Sequence, residues 1–176
     1  MSPPEATERN ACPPEARVAL RELADRYALH VDRLEIEDIG RLFVPDGVLK
    51  VSAAPGASEP PPPRRGREQI CKAMRSLDRY GATFHTTMGH VVEHYSETGN
   101  ARGVTTCLAH HFTIGEETAG EERAADYVMA IRYLDAYTLL DGVWHFAERE
   151  LSLSWVADWP VTRVRTRSGD WRPSAP

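Results

Sequence analysis

After Gly81 the sequence consists almost entirely of four long stretches with strand character, FHTTMGHVVEHY, ARGVTTCLAHHFTI, DYVMAIRYLDAY and VWHFAERELSLSWV, separated by SETGN, by GEETAGEER and by a Leu-Leu-Asp-Gly turn. Each is about twice the length of an ordinary strand. Strands that long curl instead of lying flat, and the short connections between them dictate an antiparallel meander. Asp141-Gly142 is a hairpin signal, because both residue types tolerate the positive φ of a tight two-residue turn. A curled sheet has a concave face that something must cover, and the first half of the chain supplies it.

From Ala16 the apolar residues Leu20, Leu23, Tyr27, Val31 and Leu34 recur at three and four positions, the stripe of an amphipathic helix. A short second helix is expected over residues 36 to 43. The Pro45-Asp46-Gly47 turn then leads into a strand over residues 48 to 52, and a third helix over residues 67 to 77 carries Ile70, Ala73, Met74 and Leu77 on one face. Helices followed by a meander make an α+β domain, a cone with an internal cavity. The domain is expected over residues 16 to 159. A Pro-rich tail of residues 1 to 15 precedes it and a tail of residues 160 to 176 follows it. A Pro-rich insert, residues 54 to 66, reads as an extended surface excursion or as a rim over a pocket, with Arg64 and Arg65 placed to meet an anionic group.

At 176 residues the chain has room for one core, and it carries a net charge of -5 with both signs interspersed. That balance excludes the large basic field of a nucleic-acid binder and offers nothing to an anionic membrane. Cys12, Cys71 and Cys107 have no CxxC spacing, so neither a disulfide framework nor a zinc knuckle is expected, and a reducing cytoplasm fits. The first residues lack the basic start and apolar run of a signal peptide, and no stretch is apolar enough to span a bilayer. The expected partner is a small hydrophobic molecule, with a homodimer or higher homo-oligomer as the expected assembly.

Asp32, His85 and His111 bring a carboxylate and two imidazoles to one end of the first helix and to two strands. That set suffices for proton transfer near neutral pH without a metal or another cofactor. His110 and His111 fall on opposite faces of their strand, and a bulge would exchange them. Seven histidines raise the question of metal, but no HxH or HExxH spacing occurs. A two-residue Asp141-Gly142 turn would place Asp135 opposite Glu148, an unfavourable like-charge pair that calls for a different register or a special carboxylate.

The frame LADRYALHVDRLEIEDIGRLFVPDG, FHTTMGHVVE, ARGVTTCLAHHF and LLDGVWHFAERELSLSWV resembles the SnoaL-like branch of the nuclear transport factor 2 superfamily, and its scytalone dehydratase-like members most of all. The resemblance implies a curved antiparallel sheet forming a cone closed by N-terminal helices, a cystatin-like α+β barrel. It implies Asp32 pointing into the cavity, His85 and His111 as the two catalytic histidines, and Asp32 paired with His111. Val31 and Val51 stand where those enzymes have tyrosines, and Tyr133 where they have a substrate-contacting asparagine. Tyr27 is a replacement donor, its spacing to Asp32 resembling that of the bile acid 7α-dehydratase of the same superfamily. The two side chains converge only if the helix ends or bends between them. Arg149 matches an arginine of the last strand that could meet a carboxylate or a coenzyme A thioester, or close a cross-strand ion pair, and His90 stands near the cavity mouth. The activity implied is a cofactor-independent lyase or isomerase, a dehydratase of cyclic hydroxy-ketones of polyketide or steroid type. The alternatives are a cyclase or epoxide hydrolase on the same cavity, and a non-catalytic ligand-binding or dimeric scaffold protein.

Overall fold

Helix α1 (Pro14–Arg33) buries Leu20, Leu23, Ala24, Tyr27, Ala28 and Val31 along one stripe and ends where Leu34 turns left-handed at φ 54°. The computed structural model describes residues 12–53, 58–114, 124–161 and 164. The expectations for most of the two tails, for part of the Pro-rich insert and for the GEETAGEER connection lie outside those residues. Helix α2 (Ile36–Arg41) follows, then strand β1 (Phe43–Val51), the two-residue strand β2 (Arg64–Arg65), helix α3 (Gly66–Met74) and a 3-10 segment, Arg75–Arg79. Strands β3 (Ala82–Ser96), β4 (Asn100–Ile114), β5 (Ala124–Leu140) and β6 (Val143–Val161) complete the described elements. Asp141 at φ 51° and Gly142 at φ 79° make the tight β5–β6 turn.

One sheet holds all six strands in the order β2-β1-β6-β5-β4-β3. The fold is the α+β curved sheet closed by N-terminal helices that the sequence implies, with two departures. The sheet does not close on itself, β2 and β3 being its edges, and β1 pairs with β6 in parallel, joining the helical half of the chain to the end of the meander. Pro45, Asp46 and Gly47 do not precede β1 as a separate turn. They form an irregularity inside it, between the Phe43 and Val48 pairings.

Bulges bend the long strands. Pairing shifts between Thr87 and His90 and between Val92 and His94 in β3, and at Ala130/Ile131 and Ala136/Tyr137 on the β5–β6 seam. Gly103 sits where β3 presses closest, since a Cβ there would lie 2.7 Å from the carbonyl oxygen of Val91. The bulge at Ala136/Tyr137 resolves the expected clash of like charges. It moves Glu148 opposite Ala136 and sets Asp135 opposite Arg149. Glu148 instead pairs with Lys50 at 2.6 Å.

The resulting Asp135–Arg149 pair lies at the centre of the core, both side chains wholly out of water. Arg149 Nε and Nη2 each donate to Asp135 at 2.8 Å, and the Tyr137 hydroxyl donates to the same carboxylate at 3.0 Å. The guanidinium carbon stands 4.0 Å from the Phe146 ring, 4.2 Å from Tyr133 and 4.4 Å from Tyr27. A forked pair with rings on its faces offsets much of the desolvation cost of burying two charges. Removing one partner leaves the other charge unpaired in the core. Asp135→Ala is expected to lower unfolding free energy in urea by about 3–5 kcal/mol, and a loss below about 1 kcal/mol would show that the pair contributes no more than a surface one.

Candidate functional site

Asp32 occupies the last turn of α1, and His85 faces it from β3. His85 Nδ1–H donates to Asp32 Oδ1 at 2.7 Å while the backbone N–H of His85 donates to Asp32 Oδ2 at 2.9 Å. Both carboxylate oxygens are therefore engaged by one residue, which fixes the ring's position and its tautomer. In the neutral ring this puts the proton on Nδ1 and leaves Nε2 as the acceptor. About two turns earlier on the same helix, Asp25 accepts a 2.6 Å hydrogen bond from Thr87. These two contacts clamp α1 across β3, so the pair is built from the fold's main helix–sheet interface. The His85 side chain is 5% exposed.

His111 lies on the neighbouring strand with its ring edge-on to His85, centroids 5.6 Å apart. Tyr80 packs against its other side at 4.8 Å. Its Nδ1–H donates to the Tyr127 carbonyl at 3.2 Å, leaving Nε2 an acceptor. Burial, aided by the neighbouring His85, pushes the His111 pKa down from 6.5 to about 4. The imidazole is neutral at physiological pH.

Both histidines line a cavity of about 1000 Å³ between the concave face of the sheet and the helices. Its interior is mostly apolar, with Val31, Leu49, Met74, Met129, Ile131, Leu151 and Leu153 among the lining residues. Tyr27, Tyr127 and Tyr133 add phenols to the wall, and Arg64, Lys72 and Arg79 add charge to the lining. Burial lifts the Tyr27 phenol to about 12 and raises Tyr133 well above its ordinary value, so both are hydrogen-bonding phenols and not phenolates. Val31 and Val51, standing where tyrosines were expected from the resemblance, do line this cavity.

Several expected placements need correction. Asp32 engages His85 and not His111, because α1 crosses the edge strand β3 and its last turn ends over His85. His110 points out of the cone. Pairing of β4 with β5 is unbroken from Asn100 to Ile114, so no bulge exchanges it with His111, and its Nδ1–H donates to Asp126 at 2.6 Å. Of the two readings of Arg149, the structure shows the cross-strand ion pair: Nε and Nη2 bond to Asp135 beneath the aromatic wall, and the residue is not part of the cavity lining. His90 also lies off the cavity and holds the Tyr137 hydroxyl at 3.2 Å, on the far side of the same buried pair. Tyr27 and Asp32 do not converge, because α1 continues unbroken through both. The Tyr27 hydroxyl reaches Met74 Sδ at 3.9 Å. Tyr133 does line the cavity.

The residues missed from the sequence are Tyr80 and Tyr127, which hold His111 from either side. Tyr127 could have been found by its alternation with Met129 and Ile131 on the inward face of β5. Tyr80 belongs to an irregular junction and gives no such signal. Among the described residues the one cluster of metal-ligating type is His30, Glu35 and Asp38, at the α1–α2 corner away from the cavity. There Glu35 is held by His30 at 2.7 Å and Arg33 at 4.0 Å. The cysteines are free, and no described helix is long and apolar enough to cross a membrane.

Comparison with known proteins agrees with this architecture. A scytalone dehydratase-like protein from Novosphingobium aromaticivorans superposes with a TM-score of 0.64 at 25% identity, over 89% of this chain and 93% of that one. The hexachlorocyclohexane dehydrochlorinase LinA-type3 from Novosphingobium barchaimii gives a TM-score of 0.63 at 16% identity, over 85% and 92% of the two chains. A protein of unknown function with a cystatin-like fold from Nostoc punctiforme gives 0.59 at 16% identity, over 81% and 93%. A search of curated protein sequences finds no match. The SnoaL-like domain family matches residues 14–150, which contain α1, the Asp32–His85 pair, His111 and the Asp135–Arg149 pair, and the chain belongs to that family.

Proposed function

We propose that this protein is a cofactor-independent lyase, a dehydratase acting on a small cyclic β-hydroxy-ketone by acid–base proton transfer. The observation that carries the reading is the carboxylate-oriented His85 standing edge-on to a neutral His111 on the wall of an apolar cavity. The reading is supported by structural neighbours named as a dehydratase-like protein and a dehydrochlorinase.

In the proposed reaction His85 Nε2 takes the proton next to the carbonyl. Asp32 steadies the imidazolium so formed, and the electron pair moves onto the carbonyl oxygen. The buried phenols of Tyr27 and Tyr133 are the available donors to that oxygen. When the double bond closes, the β-hydroxyl leaves with the proton held on His85, and the products are water and the unsaturated ketone. His111 serves as acceptor for the substrate hydroxyl, holding the departing oxygen on the His85 side. One base thus removes and returns the same proton, a syn elimination with no net change in the enzyme.

Two outcomes test the reading. His85→Ala and Asp32→Asn are expected to lower kcat on a cyclic β-hydroxy-ketone by about 10²–10⁴-fold while retaining a cooperative melting transition. Turnover that survives in both variants, or melting lost in both, would remove the acid–base assignment.

The second outcome concerns pH. Below its ordinary value of 6.5 an unfolded His111 takes up a proton that the folded one refuses until about 4, so folded stability falls as pH drops through that window. The difference in stability between pH 7 and pH 4.5 is expected to be smaller in His111→Leu than in the parent by about 2 kcal/mol. Parallel stability curves for the two proteins would show that His111 is not held neutral by its surroundings.

A further inference from the structure

The cavity has a polarity that its acid–base residues do not explain. Its exposed lining residues lie on one side, on the Pro-rich rim (Pro61, Pro62), on α3 and on the 3-10 segment that follows. This open side carries Arg64, Lys72 and Arg79, and among the described residues no aspartate or glutamate lines the cavity. In a chain with 26 acidic and 21 basic side chains, three cations without a carboxylate is an uneven distribution. Among the described residues none of the three is in an ion pair, whereas Arg75 between them is paired with Glu37 at 2.8 Å.

Two of these cations are tied to the wall in ways that leave charge facing the opening. Arg64 Nη1 donates to the Pro62 carbonyl at 3.1 Å, joining the rim to β2. Arg79 Nη2 donates to the Tyr80 hydroxyl at 2.9 Å, and its guanidinium carbon lies 4.8 Å from the centre of that ring. The other neighbour of Tyr80 is His111, with ring centres 4.8 Å apart. The Arg79 charge is thus one aromatic ring away from the reacting histidines. Low-dielectric walls around such a mouth focus its positive potential into the cavity. The arginine of the last strand is already paired with Asp135 and is not among the residues that line the cavity.

We infer that the substrate is a ring-bearing oxyanion, its apolar ring seated against His85 and His111 and its carboxylate or phosphate ester held at the mouth by Arg64, Lys72 and Arg79. This rests on the cavity being the substrate site, and it narrows the class from a neutral hydroxy-ketone to an acidic one. The anion acts as a handle. It fixes which edge of the ring enters first, and so which carbon meets His85.

The test is calorimetric titration of the full chain at pH near 7.5 with 2-naphthoate, 2-naphthyl phosphate and the uncharged 2-naphthamide, in about 50 mM and about 500 mM salt. At low salt at least one of the two anions is expected to bind roughly tenfold or more tightly than the amide, and the gap should narrow at high salt. The triple variant Arg64→Met, Lys72→Met, Arg79→Met should erase the gap while leaving the amide's Kd within about twofold. Tighter binding of naphthoate than of the phosphate ester assigns a carboxylate, and the reverse order a phosphate ester. Equal binding of amide and anions, a gap that survives in the triple variant, or no binding of any of the three overturns the inference. Binding of the amide alone overturns the charge assignment but leaves the cavity as a ligand site. A preserved anion preference with no turnover of any β-hydroxy-ketone removes the lyase reading and keeps this one.

Discussion

The buried pair of Arg149 and Asp135 organises the rest of the molecule. A guanidinium in a hydrocarbon core needs its charge paired and its flat faces covered, and Arg149 has both, although its Nη1 is buried without a hydrogen-bond partner among the described residues. Asp135 takes two donors, while the rings of Tyr27, Tyr133 and Phe146 surround the guanidinium carbon. Two of those rings are also cavity wall. The floor of the cavity is therefore held by an ion pair that is not itself part of the lining, and the rotamers of Tyr27 and Tyr133 are set from behind. The bulge at Ala136 and Tyr137 is what makes the pair possible, because a regular ladder would have placed two carboxylates face to face.

Charge in this protein is sorted by depth. Paired charge sits under the wall, a carboxylate-bound imidazole and a neutral imidazole sit on it, and unpaired cations stand at the opening. Each arrangement follows from how much water remains. Where none remains the charges are fully paired, where little remains His111 gives up its proton, and at the rim solvation supports an isolated ammonium or guanidinium. On the function proposed above, a substrate entering the cone would pass from the last environment to the second, with its polar groups matched to that order.

The architecture was legible because it depends on long-range periodicity. The stripe from Leu20 to Val31 and the runs after Gly81 specify a helix over a curled sheet whatever the details, and Asp141-Gly142 marks its hairpin. Alternation put His110 and His111 on opposite faces, but which one faced inward stayed open until the unbroken β4–β5 pairing excluded a bulge on that seam. Pairing was not legible. The distinction between Asp32 with His111 and Asp32 with His85 depends on where α1 crosses the sheet, a rigid-body quantity with no local signature. Arg149 was ambiguous for a related reason. A one-residue bulge decides whether it meets Asp135 or solvent, and a bulge inside an otherwise regular strand leaves little trace in composition. Tyr80 was invisible because it belongs to no repeating element.

The parallel pairing of β1 with β6 has a consequence in time. β1 ends at Val51 and its partner begins at Val143, so the seam that joins the two halves closes a very long loop, and such contacts are slow to form. Arg149, Leu151 and Leu153 all lie on that last strand, and they supply the guanidinium under the wall and part of the wall itself. During synthesis the helices and three strands of the meander emerge before them. The concave face then has its histidines but no floor, and the aromatic side chains of α1 and β5 wait without their cation. A working interior comes into being in a single late event, the docking of β6 between strands already made.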